Sequence, residues 1–322
     1  MKKSWLVAIL LFRLGVTELY AFEKVATTSF QFLKVTTDAR ATAMGEACVA
    51  APRGAACLFW NPGALTTING TDLNLSYVDW LLDTRQASLA LAHSLGNWGT
   101  VGLQAMMVDV GEIEVTRVEA LGFVGDVYNP GLTGETMKPS AVVLGVSYAR
   151  ALTDKFSFGL TAKLVHEDLE LESKSALAFD AGLVFDTGYR SLRLGAAIRH
   201  FGREIKYVDK SYPMPQTFTL GIAGQLLGPA HYLLFPSEDH ELTLAYDLSH
   251  PRDYDQQHHL GVEYAFRRSI FLRAGYKFNY DEEGLALGFG LKASRLHVDY
   301  SYAPFSEFLG SVHRFTIGLE IR

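Results

Sequence analysis

Residues 270–302 read IFLRAGYKFNYDEEGLALGFGLKASRLHVDYSY, and in each of three successive runs apolar side chains occupy every second position. In the middle run Leu285, Leu287, Phe289 and Leu291 alternate with Ala286, Gly288, Gly290 and Lys292. Strict alternation of this kind indicates β-strands, because successive side chains of a strand point to opposite faces. The positions between the large apolar residues are small or charged, so the two faces of each strand meet different surroundings.

The same period of two recurs from about residue 72 to the end of the chain. We count fourteen segments of about nine to fourteen residues, the length that a tilted strand needs to cross a membrane. A soluble β-sandwich, the alternative, has strands of about five or six residues. The sequence therefore predicts an all-β fold, a 14-stranded antiparallel transmembrane β-barrel over residues 71–322. Outside residues 242–322 the segments lie at 72–80, 85–95, 98–110, 139–151, 155–168, 174–187, 191–202 and 216–227.

Composition agrees with a barrel and excludes other classes. Of the 322 residues 48% are hydrophobic, yet no apolar run is long enough to span a bilayer as a helix. The net charge is -6 and the lysines and arginines are scattered, so the sequence shows no basic patch of the kind that binds nucleic acid. Apolar residues spread over alternating strands are typical of a barrel in a bacterial outer membrane.

The connections also alternate in length. After even-numbered strands they are mostly two-residue turns such as Gly96-Asn97, with residues 228–239 as the exception. Several connections after odd-numbered strands are longer. Short periplasmic turns and long outer loops are typical of bacterial outer-membrane barrels. The longest, 111–138, is a candidate lid over the barrel mouth, and the alternative is a surface loop without a role.

The N-terminus predicts export. Lys2 and Lys3 precede an apolar stretch at residues 5–12, and Ala21 is a plausible cleavage point, the layout of a secretory signal peptide over residues 1–21. A retained N-terminal anchor helix is the alternative. Once cleaved, the protein is expected in the outer membrane.

The remaining motifs give no sign of an enzyme. The chain lacks G-x-S-x-G, H-E-x-x-H and P-loop patterns, so we predict no catalytic site, no metal and no cofactor. His258 and His259 would point to opposite faces of one strand, which makes them a poor chelate. Export permits a disulfide between Cys48 and Cys57, but the spacing fits two buried free thiols equally well.

Residues 22–70 do not alternate and are rich in glycine, proline and small apolar residues. A segment of this length and apolar character is not expected to lie free in water. Its natural place is the barrel interior, and we predict an N-terminal hatch there.

Three motifs of this segment carry a resemblance to a known family. They are FLK at residues 32–34, DARATAMGEA at 38–47 and FWNPGAL at 59–65. The region from about 30 to 66 resembles the FadL superfamily of outer-membrane barrels, most closely its PorV/PorQ and UPF0164 branches. The resemblance implies a plugged 14-stranded barrel that takes up long-chain fatty acids and other hydrophobic compounds. It further implies that the hatch shifts and that the ligand leaves sideways through the wall.

The candidate site residues follow from the resemblance and from the barrel pattern. By motif, the hatch element that faces the lumen comprises Phe59, Trp60, Asn61, Pro62 and Gly63, and the alternative is that this motif only holds the hatch in place. Many inward positions are Gly, Ala, Ser or Thr, which favours apolar cargo over hydrated ions. We therefore also expect an inward change such as Gly288→Ser to be tolerated.

Inward-facing charges are fewer, and three of them are candidate lumen residues: Arg193, Arg273 and Lys277. Either arginine is a candidate anchor for a carboxylate. The alternative is that these charges pair with opposite charges of the wall or hatch.

Two functions are consistent with this sequence. The first is outer-membrane transport of hydrophobic molecules, foremost long-chain fatty acids, by facilitated diffusion. The second is a PorV-like barrel that serves as docking partner of a secretion or surface-attachment system. The expected partners are a long-chain fatty acid or other hydrophobic ligand, outer-membrane lipid and the barrel-assembly machinery. An open apolar tunnel would favour transport, and a blocked lumen would favour docking.

Overall fold

A computed structural model describes residues 27–306 and 309–321, so the predicted signal peptide lies outside the described residues. From Thr71 onward the chain is dominated by long antiparallel strands, which we number β1 to β14 in chain order. They are β1 Thr71–Asp79, β2 Arg85–Ser94, β3 Thr100–Asp109, β4 Ser140–Ala151, β5 Phe156–Asp168, β6 Ser173–Asp186, β7 Arg193–Gly202, β8 Thr217–Gly228, β9 His240–Pro251, β10 Gln257–Phe266, β11 Ile270–Phe278, β12 Leu285–Ala293, β13 Leu296–Pro304 and β14 Ser311–Ile321.

The sheet closes on itself. Each strand pairs with its neighbours in sequence, and β1 pairs with β14 from Thr71 opposite Ile321 to Asp79 opposite His313. Closure leaves no barrel strand with an unpaired edge, which is the requirement for crossing lipid as a sheet. The predicted fourteen-stranded antiparallel barrel is confirmed. Among the described residues, no helix has both the length and the apolar character for a membrane span.

The outer face of the wall is apolar, as the alternation predicted. On β12 the outward residues Leu285, Leu287, Phe289 and Leu291 are all exposed, while Ala286 is buried toward the interior. His258 and His259 obey the same rule, since His258 contacts the Tyr246 hydroxyl outside and His259 contacts the Gly45 carbonyl inside. The exposed apolar band is the surface that lipid covers.

A charge placed on this face tests the orientation of the strands. Leu287→Arg, near the middle of the wall, is expected to lower the free energy of unfolding by about 2–4 kcal/mol. Leu296→Arg, at the end of β13, is the matched control and is expected to cost about 0–1 kcal/mol because the arginine reaches the interface. Urea unfolding in lipid vesicles measures both, and equal costs would contradict the assigned depth.

The long connections lie at one end of the barrel, which we call the outer end. Residues 111–138 form a β-hairpin with strands Ile113–Val124 and Val127–Met137; we call it the outer hairpin. A smaller hairpin pairs Ile205–Tyr207 with Lys210–Tyr212 between β7 and β8. The opposite end carries the short turns.

The hatch runs through the barrel from the outer end to the short-turn end. Its first residues are tied to the outer loops, since the Ser29 amide donates to the Pro213 carbonyl at 2.8 Å. At the other end the Gly70 carbonyl accepts from the Ser94 amide before β1 begins. In its described part, residues 27–70, the hatch contains one α-helix, α1 Ala39–Ala43, and 3-10 segments at Gln31–Lys34, Ala55–Phe59 and Pro62–Thr67. The Asp38 carboxylate caps α1 by accepting from the Ala41 amide at 3.0 Å.

Candidate functional site

The hatch contacts all fourteen strands. Helix α1 packs against β11 to β14, and residues 55–67 pack against β1 to β6. Residues 40–50 contact the remaining strands, β7 to β10. Val49 packs against β7 and Ala50 against β8, the Cys48 amide donates a hydrogen bond to β9, and Arg40 donates one to β10. The hatch therefore contacts the barrel wall around its whole circumference.

The small inward residues of the wall make room for the hatch backbone. A Cβ on Gly275 would lie 1.9 Å from the Gly45 nitrogen, and one on Gly182 would lie 2.1 Å from Asn61 Oδ1. The interpretation of these small residues as the lining of an apolar passage is therefore wrong at these positions. The expected tolerance of Gly288→Ser is wrong as well, because a Cβ there would lie 2.3 Å from the Ala43 Cβ.

The 59–63 motif divides into two parts. Asn61 is fully buried; its Nδ2 donates to the carbonyls of Val49 at 2.8 Å and Leu183 at 2.9 Å. Its Oδ1 accepts from the Gly63 amide at 3.0 Å and caps the following 3-10 segment. Asn61, Pro62 and Gly63 thus attach the hatch to the wall, whereas Phe59 and Trp60 face a cavity.

A buried ionic network joins the hatch to the wall. Glu263 on β10 accepts from Arg40 Nε at 2.9 Å and from Arg273 Nε at 2.6 Å, and Arg53 lies 3.4 Å away. Arg273 also pairs with Asp299 at 2.6 Å. Arg273 thus pairs with two carboxylates of the protein itself. This favours the alternative that its role is structural pairing rather than binding of a ligand carboxylate.

The other two charge candidates lie at opposite ends of the barrel. Lys277 pairs with the hatch residue Glu46 and with Glu283 of an outer loop. Burial alone would raise the pKa of Glu46, but the charges of Lys277 and His259 and the hydrogen bonds from Lys277 and Thr36 together lower that pKa below its usual value. Arg193 is half-buried at the short-turn end of β7 and lines no part of the outer cavity, so its role as a carboxylate anchor stays a prediction.

The cysteines are two buried free thiols, so the disulfide alternative is wrong. They belong to different packing clusters: Cys48 packs with Met44 and Ala245, and Cys57 packs with Ala90. Each thiol is fixed on its own side of the hatch, which keeps the two sulfurs from meeting.

Burial raises the pKa of both thiols, since it disfavours the thiolate. We therefore expect folded protein at pH 8 to react with a maleimide at neither Cys48 nor Cys57, because the thiolate is the reactive form. Mass spectrometry before and after unfolding measures this. Rapid labelling of either residue in folded protein would mean that the hatch leaves the lumen.

A cavity of about 370 Å³ lies between the hatch and the outer loops. One part of its wall is apolar, with Leu33, Trp60, Met106 and Val143, and the rest carries hydroxyl, amide and charged groups. No residue of the outer hairpin lines this cavity. The two strands of the hairpin pair only with each other, so the structure gives no support to the prediction that the 111–138 segment is a lid over this cavity.

Comparison with known proteins identifies the family. The family model described as "Type IX secretion system protein PorV" matches residues 20–227. The chain belongs to the PorV family. None of the curated proteins matches it, so the family assignment rests on the family model, and the resemblance to PorV seen in the sequence is confirmed.

Solved structures share the fold of this PorV-family chain at low sequence identity. A "CymD monoaromatic hydrocarbon channel" has a TM-score of 0.56 at 15% identity and covers 88% of this chain and 96% of its own. The Pseudomonas putida toluene transporter TodX has a TM-score of 0.56 at 14% identity, covering 86% and 95%. A Pseudomonas aeruginosa FadL homologue gives 0.56 at 12% identity, covering 89% and 99%. At these identities the likeness shows a shared fold.

Proposed function

We propose that this barrel serves an outer-membrane type IX secretion system as a docking partner, and that it works with its lumen closed. The observation that carries the proposal is the contact of the hatch with all fourteen strands. A hatch held by the Glu263 network and by Asn61 has many contacts to break before anything passes it. The family description supports a role in secretion.

The outer hairpin is the proposed docking element. Large apolar residues near its tip are exposed, with Phe123 74% and Val127 72% accessible. Two strands that pair only with each other are marginally stable in water, and an exposed apolar patch is typical of an interaction site. We propose that an apolar surface of the membrane-embedded secretion machinery covers this tip.

The experiment uses a strain that lacks the protein and relies on type IX secretion. Wild-type protein is expected to restore delivery of a secreted substrate to the cell surface, and Phe123→Ser is expected to restore far less at the same barrel level. Leu171→Ser is the matched control, because Leu171 is 83% exposed on another outer loop. Normal delivery by the Phe123 variant would overturn the docking surface, and normal delivery without the protein would overturn the secretion role.

A second function, uptake of hydrophobic molecules with long-chain fatty acids as the first candidate, is favoured by one observation. The outer cavity offers Leu33, Met106 and Val143 to an apolar ligand, and burying apolar area yields about 25 cal/mol per Å². Loss of labelled fatty-acid uptake in the strain without the protein is the expected result under this function. Unchanged uptake would exclude it.

A further inference from the structure

A β-bulge in the wall brings two consecutive side chains to the outer cavity. Strands β6 and β7 leave their regular register between Phe179 and Ala181. There two residues of β7, Arg199 and His200, stand opposite the single residue Asp180. His200 has a φ of 58°, and both side chains line the cavity. Bulges are common beside functional sites because they redirect side chains.

The hatch holds Arg199 in place. The Arg199 Nη1 donates to the Phe59 carbonyl at 3.2 Å, and the guanidinium lies 4.9 Å from the centre of the Trp60 ring. A donor that is already fixed loses little freedom when a ligand accepts from it. Arg199 is therefore a preorganised donor in the cavity wall.

Four polar atoms of residues that line the cavity have no hydrogen-bond partner in residues 27–306 and 309–321. They are Thr37 Oγ1, Trp60 Nε1, Gln104 Oε1 and Arg199 Nε. Thr37, Trp60 and Gln104 are each more than nine-tenths buried. Buried polar groups are normally paired, because burial without a partner is costly. These four atoms point to a ligand inside the cavity.

The four atoms require both kinds of hydrogen-bonding partner. Trp60 Nε1 and Arg199 Nε only donate, Gln104 Oε1 only accepts, and the Thr37 hydroxyl does either. An ionised carboxylate accepts hydrogen bonds but has no proton to donate, so it would leave Gln104 without a partner. A hydroxyl group donates and accepts, and a ring that carries several hydroxyls serves all four atoms.

The charges of the cavity lining favour a neutral ligand. The lining contains four cations and four carboxylates: Lys34, Lys163, Arg199 and Lys277, and Glu46, Asp281, Glu282 and Glu283. With its histidines neutral, the lining therefore has no net charge. A neutral ligand keeps this balance, whereas a charged one would bring an uncompensated charge into a partly buried site.

Aromatic side chains supply the apolar part of the lining on the side of the outer loops. Beside Trp60 they are Trp80, Tyr254, Tyr280 and Phe305. A sugar ring has an apolar C–H face as well as its hydroxyl groups, and an aromatic ring buries such a face. Aromatic walls with a few polar groups that fix orientation are typical of small-molecule sites.

We propose that the outer cavity binds a neutral sugar of about one hexose ring. The hydroxyls of the sugar accept from Trp60 and Arg199 and donate to Gln104. The volume of about 370 Å³ lies at the small end of ligand sites, which suits a compact ring. A sugar differs in chemical class from a fatty acid. The site goes beyond the docking role and does not require that anything crosses the hatch.

The test measures ligand binding to the full-length protein in lipid nanodiscs by saturation-transfer NMR, with empty nanodiscs as the blank. The probes are D-glucose, D-galactose, D-mannose, cyclohexanol and octanoate. Wild-type protein is expected to bind at least one of the three hexoses. Cyclohexanol has a ring of the same size with one hydroxyl, and we expect it to bind at least tenfold more weakly than that hexose.

Gln104→Leu is expected to weaken hexose binding about tenfold, because it removes the acceptor with little change in size. A urea unfolding midpoint at or above the wild-type value shows that this variant is folded. Gln86→Leu is the matched control. Gln86 is equally buried on the neighbouring strand β2, lies outside the cavity lining and donates to Met106 Sδ at 3.1 Å. It is expected to bind the hexose as wild type does.

Three results would overturn the proposal: no hexose binding by wild type, wild-type affinity in Gln104→Leu, or equal losses in the two variants. Binding of octanoate without any hexose would overturn it in favour of fatty-acid uptake. If Gln104→Leu does not fold, Trp60→Phe keeps an aromatic ring without the N–H and is expected to weaken hexose binding several-fold. Wild-type affinity in that variant would also overturn the proposal. None of these outcomes depends on secretion.

Discussion

Replacing Glu263 with glutamine is expected to lower the free energy of unfolding by about 3–5 kcal/mol, the cost of breaking a buried ion pair. Glu263 is buried on β10 and is the shared partner of Arg40, Arg53 and Arg273. Glutamine has nearly the same size, so the change removes the charge with little change in packing. Arg40 and Arg53 then lose the carboxylate that ties the hatch to the wall. Urea unfolding in lipid vesicles, followed by the gel mobility of the folded barrel, measures the loss.

Glu320→Gln is the matched control for this prediction. Glu320 pairs with Lys292 at the short-turn end, and both side chains are partly exposed. A partly exposed pair contributes about 0–1 kcal/mol because water screens it. Similar decreases in the free energy of unfolding in the Glu263 and Glu320 variants would contradict a special contribution of the hatch network to stability.

Gly275→Ala is expected to displace the hatch from β11. The added Cβ would lie 1.9 Å from the Gly45 nitrogen and 2.3 Å from the Met44 carbonyl carbon. Both are backbone atoms, which have no alternative rotamer, so the hatch or the strand must move. Overpacking of this kind costs about 1–3 kcal/mol and occasionally more. We expect wild type to show little ion conductance in planar bilayers and the alanine variant to show a clear increase.

Gly284→Ala serves as the matched control for the clash. Its added Cβ would meet only the Tyr276 ring, at 3.4 Å, which is an ordinary van der Waals contact. We expect wild-type stability and conductance from this variant. Large, steady currents through wild-type protein would contradict a closed lumen altogether.

The barrel was predictable because strand periodicity is local. Leu287 and Gly288 show which face meets lipid without any knowledge of their partners. The meaning of the small inward residues was not predictable in the same way. Glycine at positions 182 and 275 fits an open apolar passage and a close-fitting hatch equally well, and only the path of the hatch backbone decides between them.

The outer cavity shows a second limit of sequence reasoning. Arg199 has the same parity as Arg193 and Gly195 on β7, so alternation alone could have assigned it inward. Its neighbour His200 breaks the alternation, because the bulge opposite Asp180 is a property of two paired strands. Ion pairs such as Arg40–Glu263 join residues 223 positions apart, and composition does not specify which charges meet.

We expect the hatch to stay in the lumen while the protein works. A disulfide between hatch and wall tests it most directly, in a protein whose native Cys48 and Cys57 are replaced by alanine. Ala39→Cys with Thr316→Cys places one cysteine on the hatch and one on β14, where the Ala39 amide lies 3.0 Å from Thr316 Oγ1. We predict that cells with the oxidised, locked protein deliver secreted substrates as well as cells with the reduced protein. Delivery that is lost on oxidation and restored by a reductant would show that the hatch must move, and would contradict the account.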